Sequence, residues 1–182
     1  GVCPLYAAAE RGRWRVVEAL LKRGVAVDGP VKANLAAKCP KGLGRLRPAK
    51  TTLMSHTPLW IAAWRGYRRV VELLVEAGAD VNRAGRGRTT CVTPLYAAAQ
   101  EGHHRVVSYL LQRGANPDLK RPDTGQTPMA AAAEEGHRQV VDALLDAGAN
   151  VNTKCRQGVE VIFSCPYFEL HSPFGASPLR IA

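Results

Sequence analysis

"TPLYAAAQEGHHRVVSYLLQRGANPD", Thr93 to Asp118, is the stretch whose reading decides the fold. Thr93 is a residue that caps a helix start through its side-chain oxygen, and Pro94 suits the first helical position, where no N–H is needed. Ala97, Ala98 and Ala99 are small enough to let another helix approach closely. Gly102 supplies a turn. Val106, Val107, Leu110 and Leu111 then fall on one face at helical spacing, which predicts a second, amphipathic helix. Gly114 ends it, and Asn116 and Asp118 lead into a turn. The stretch therefore predicts a helix–turn–helix hairpin.

The pattern recurs. "CPLYAAAERGRWRVVEALLKRGVAVD" begins at Cys3, "TPLWIAAWRGYRRVVELLVEAGADVN" at Thr57 and "TPMAAAAEEGHRQVVDALLDAGANVN" at Thr127. A further start, "SPLRIA", opens at Ser177. A single such hairpin buries too few Val and Leu side chains to offset the entropy of ordering its backbone. Stacked copies bury both faces of each hairpin, which gives the repetition a physical reason.

These units resemble ankyrin repeats, whose signature is T-P-L-H-x-A in a unit of about 33 residues. The resemblance implies an all-α solenoid of stacked helix–turn–helix units with β-turn fingers. Its units lie at about 1–28, 56–89, 92–123 and 126–153, with a fifth starting at 176–182. The repeat prolines are separated by 54 (Pro4 to Pro58), 36 (to Pro94), 34 (to Pro128) and 50 residues (to Pro178). Two long finger insertions, 29–55 and 155–175, account for the excess. The first is basic and without periodicity, and reads as a loose loop. In the second, Val159, Val161 and Phe163 alternate with Glu160 and Ile162, as in an extended finger. Retained introns are the alternative reading of both. Cys3 stands where the motif has Thr, so the first unit is expected to lack a side-chain cap. With its first unit beginning at the helix and its fifth incomplete, the sequence reads as part of a longer protein.

The net charge of +10 is concentrated. Lys32, Lys38, Lys41, Arg45, Arg47 and Lys50 fall within 29–55 with no Asp or Glu, and Arg83, Arg86 and Arg88 form a second cluster. The first cluster offers an alternative function, weak non-specific attachment to nucleic acid or anionic lipid, which should be salt-sensitive. It lacks interleaved aromatics for base stacking. Five cysteines (Cys3, Cys39, Cys91, Cys155, Cys165) form no CxxC pair and read as free thiols in a reducing compartment, hence an intracellular protein of cytoplasm or nucleus. No apolar run is long enough for a membrane span.

Nothing in the sequence argues for catalysis. Asp123-Thr124-Gly125 spells an aspartic-protease triplet, but it sits where the repeat has its own turn. His103-His104 are adjacent helix positions and point apart. Gly42-Leu43-Gly44 lacks the third glycine of a dinucleotide loop. The expectation is a non-enzyme without cofactor, metal or small-molecule substrate. It is expected to be a monomer that binds a protein partner, either as a scaffold or as a regulatory segment of a larger enzyme or channel.

The family's recognition surface is its concave face, at the end of the first helix and the turn fingers. Carried over by position, it comprises Glu10 and Arg11, Trp64 and Arg65, Gln100 and Glu101, and Glu134 and Glu135. His56, Val92 and Gln126, each just before a T-P-L motif, complete it. Trp64 with Arg65 has the composition enriched at binding hot spots. The His of T-P-L-H is replaced by Tyr6, Trp60, Tyr96, Ala130 and Arg180, and the large rings are expected to pack in a column between units.

Overall fold

Each threonine of the T-P motif caps a helix. The Trp60 N–H donates to Thr57 Oγ1 at 3.1 Å, Tyr96 N–H to Thr93 Oγ1 at 3.2 Å, and Ala130 N–H to Thr127 Oγ1 at 3.3 Å. Cys3 makes no such bond, as its chemistry predicts. The computed structural model describes residues 3–28, 56–85 and 92–153. Both insertions, the fifth-unit start and the Lys32–Lys50 charges lie outside the described residues, as do Arg86, Arg88, Arg180 and the cysteines other than Cys3.

Among the described residues there are eight α-helices and no strands. They form four hairpins: α1 (Pro4–Glu10) with α2 (Trp14–Lys22), α3 (Pro58–Trp64) with α4 (Arg68–Glu76), α5 (Pro94–Gln100) with α6 (His104–Gln112), and α7 (Pro128–Glu134) with α8 (Arg138–Asp146). The first helices pack in one row, α1 on α3 on α5 on α7, and the second helices in another, α2 on α4 on α6 on α8. The alanines of the first row are what allow that contact; Ala63 and Ala99 are fully buried.

Burial along the columns of the repeat shows which side of a hairpin meets which neighbour. Val17, Val71 and Val107 are fully buried, but Val141 of the last hairpin is only partly so. That column faces the following unit. Val70, Val106 and Val140 are buried, but Val16 of the first hairpin is 49% exposed. That column faces the preceding unit. Leu5, Leu59, Leu95 and Met129 are buried in all four and belong to the hairpin's own core.

Polar ties reinforce the stack. The backbone N–H of Asp80 donates to Asp28 Oδ2, that of Asn116 to Asn82 Oδ1, and that of Asn150 to Asp118 Oδ1, at 2.8–3.1 Å. Within a turn, Asp80, Asn116 and Asn150 accept from the N–H two residues on. This ladder satisfies backbone donors that no helix or strand reaches. It is why Asp and Asn recur at these tips.

The helix junctions are the tightest contacts between units. Gly66 has φ +74°, and a Cβ placed on it would lie 2.6 Å from the His103 ring of the next unit. Gly102 stands in the same relation to His137. His103 Nε2 is 3.0 Å from the Trp64 carbonyl, and His137 Nε2 is 3.0 Å from that of Gln100. A carbonyl only accepts, so each Nε2 carries the proton. His103 is thus a tie between units, in keeping with the structural role expected of the His-His pair.

Candidate functional site

The row assembled by the first-helix ends runs across all four units. Glu10 and Arg11 close α1, Trp64 and Arg65 close α3, Gln100 and Glu101 close α5, and Glu134 and Glu135 close α7. Arg11, Glu134 and Glu135 are exposed, while Glu10, Arg65, Gln100 and Glu101 are half-buried. Of the residues preceding the T-P-L motifs, Gln126 is half-buried.

Three of the residues expected to meet a partner lie in the interior instead. Trp64 is 7% exposed, Val92 7% and His56 5%. The reason is a stack of rings along α3. His56 lies on Trp60 with centroids 3.9 Å apart, Trp60 is 6.0 Å from Trp64, and the Arg65 guanidinium sits 4.7 Å above the Trp64 ring. Spacing i, i+4 puts Trp60 and Trp64 on one helix face. At the end of the stack Trp64 Nε1 donates to Glu101 Oε1 of the next unit at 3.1 Å. Trp64 is therefore primarily a joint between units, and Arg65 is the member of the pair that reaches the surface.

The aromatic column expected between units takes a different form. Tyr6, Trp60 and Tyr96 are all buried. The ring stack runs along α3, within one unit, because His56 and Trp64 offer it partners there. Tyr96 keeps a polar tie: its hydroxyl donates to Gln126 Oε1 at 2.7 Å, and Gln126 Nε2 donates to Glu134 Oε2 at 2.7 Å. Beside it, Arg121 holds Asp123 through two bonds of 2.7 and 2.8 Å. Asp123-Thr124-Gly125 is part of this turn, with Gly125 at φ +71° and its N–H bonded to the Arg121 carbonyl. The triplet is a turn of the repeat.

Three buried nitrogens in the α3 stack have no hydrogen-bond partner: His56 Nδ1, Trp60 Nε1 and Arg65 Nε. Burial alone pushes the His56 pKa down from 6.5 to about 4, since charging it would leave a cation without water. This has a measurable consequence. Between those values the unfolded chain holds a proton that the folded chain does not, so stability is complete above about pH 6.5 and falls as pH drops toward 4. The total loss is about 3 kcal/mol, because each tenfold weakening of proton binding is worth roughly 1.4 kcal/mol. Glu18 and Glu72 are lowered by hydrogen bonds from Lys22 and Arg68, so their own losses begin only below the ordinary 4.5. Urea unfolding at pH 7 and pH 5 should show the loss, and His56→Phe should flatten it. An equal slope in the variant would count against His56 as its source.

Among the described residues no cluster of His, Cys, Asp or Glu could hold a metal ion, and no helix is long and apolar enough to cross a membrane. The family model of ankyrin repeats matches residues 1–85 and 86–155, in three copies. The chain belongs to the ankyrin repeat family. Nothing among the curated proteins matches it. Ankyrin repeats generally mediate protein–protein interaction and are typically non-catalytic.

The sequence did not announce Glu101 as the acceptor for Trp64, nor the Tyr96–Gln126–Glu134 chain. Its one available signal for the junction ties was the column Tyr67, His103, His137, which follows the glycine of each ankyrin unit.

Proposed function

We propose that the chain is a non-catalytic scaffold, in cytoplasm or nucleus, that holds a partner protein along the row of first-helix ends. The observation that carries this reading is the order of charge in one column of the array: Arg11, Arg65, Glu101, Glu135. All four lie outside the core, and the sign changes once, between the second and third units. A partner segment that is acidic at one end and basic at the other matches this column in one orientation only. Arg65 is the first contact in this reading. Its Nε lacks an acceptor within the chain, and a partner carboxylate would supply one.

The experiment is selection of a random-peptide display library against the chain, with the charge-inverted variant Arg11→Glu/Arg65→Glu/Glu101→Arg/Glu135→Arg as counter-target. The expected peptides carry an acidic and a basic block in fixed order and lose binding to the counter-target. Peptides that bind both proteins equally, or no enrichment, would overturn the reading.

A further inference from the structure

The two ends of the described array are complementary halves of the interface that already joins its units. At the first hairpin, the column facing a preceding unit has lost its cover. Val16 is 49% exposed, Leu20 is half-buried and Pro4 is exposed, whereas their counterparts in the later hairpins are buried. Trp14, 38% exposed, extends this apolar face. At the fourth hairpin, the column facing a following unit has thinned in turn. Ala133 and Val141 are half-buried, whereas Ala9, Ala63 and Ala99, and Val17, Val71 and Val107, are fully buried.

Polar groups match in the same register. Each of Gly12, Gly66 and Gly102 is covered by a ring from the next unit, namely Tyr67, His103 and His137. No described residue covers Gly136, and the first unit offers exposed Arg13 in the column of those rings. His103 and His137 donate to the carbonyl two residues before the glycine they cover. For Gly136 that carbonyl belongs to Glu134, and an arginine is a donor. The contact between Trp64 and Glu101 joins the residue two before one glycine to the residue just before the next. Its counterpart across the ends joins Glu134 to Arg11, an acid to a base.

We propose that this chain associates head to tail with a second copy of itself, the α7–α8 face of one copy on the α1–α2 face of the other. The contact repeats the unit-to-unit interface, so it is heterologous and leaves one free face at each end of the pair. Association therefore continues into longer chains as concentration rises, in place of the monomer expected from the sequence. Arg11 and Arg13 against Glu134 and Glu135 make it weaken with salt.

Sedimentation velocity of the full chain over a wide concentration range tests this, with Val16→Glu blocking one face and Val141→Glu the other. Wild type should give a mass that rises to twice that of one copy and beyond. Each variant alone should stay at one copy. Their mixture should give a two-copy complex and nothing larger, because each contributes the face the other lacks. If Val141→Glu lowers helicity by circular dichroism, Glu134→Arg at an exposed position takes its place in the mixing. A single-copy mass for wild type at every concentration, or association that survives Val16→Glu, would overturn the proposal. Neither Val16 nor Val141 belongs to the charged row, so this failure is separable from failure of the partner-binding reading.

Discussion

In the Trp64→Ala variant, urea unfolding followed by circular dichroism should show a loss of about 3–5 kcal/mol, the cost of emptying a buried indole site. The indole is 7% exposed, packs against Trp60, and carries the Arg65 guanidinium on its other side. Its removal opens a cavity at the joint between the second and third units and leaves Glu101 without its donor. Trp64→Phe separates the two contributions. It keeps most of the apolar area and loses only the hydrogen bond, so it should cost about 1 kcal/mol beyond the smaller ring's reduced packing. From the sequence, Trp64→Ala would weaken partner binding while leaving the helices intact. Burial reverses that order: the fold suffers first, and any loss of binding follows from it. A change below about 1 kcal/mol in Trp64→Ala would mean that the indole is not packed as described. Arg65→Ala is the substitution that can report on binding alone, since the side chain lies at the surface of the joint.

The fold was legible because ankyrin hairpins are specified locally and then repeated. A threonine oxygen can reach only the N–H groups of the turn it begins, so the caps at Thr57, Thr93 and Thr127 follow from position. The Val-Val and Leu-Leu spacing likewise puts the stripe on one face whatever surrounds it. Residues of the proposed row were legible to the same extent, as column positions. Whether a column position is exposed was not, because this depends on which side chains happen to occupy the neighbouring columns. Trp64 is covered because His56, Trp60 and Glu101 stand around it. Glu134, in the same column, is exposed among smaller neighbours such as Ala130 and Ala131. The two valines of each second helix show the same limit. In sequence they are a doublet; in the stack one faces each neighbour, and only the end units reveal which.

Gly66→Ala is expected to cost about 2–4 kcal/mol, from a left-handed backbone that disfavours a Cβ and from loss of the tie it would break. At φ +74° the added methyl meets strain even in open space. Here the space is also filled. The methyl would lie 2.6 Å from the His103 ring, which cannot retreat without giving up its bond to the Trp64 carbonyl. Gly78→Ala is the control for strain alone, since φ is +89° and nothing lies within 4 Å of the new methyl. It should cost roughly 1 kcal/mol. The difference between the two is the contribution of contact between units, and a double-mutant cycle can isolate it. In a His103→Ala background the ring is absent, so Gly66→Ala should fall to the Gly78→Ala value. Were Gly66→Ala as costly there as in wild type, the glycine would be required by its backbone alone. The column Tyr67, His103, His137 would then not be what locks one ankyrin unit onto the next.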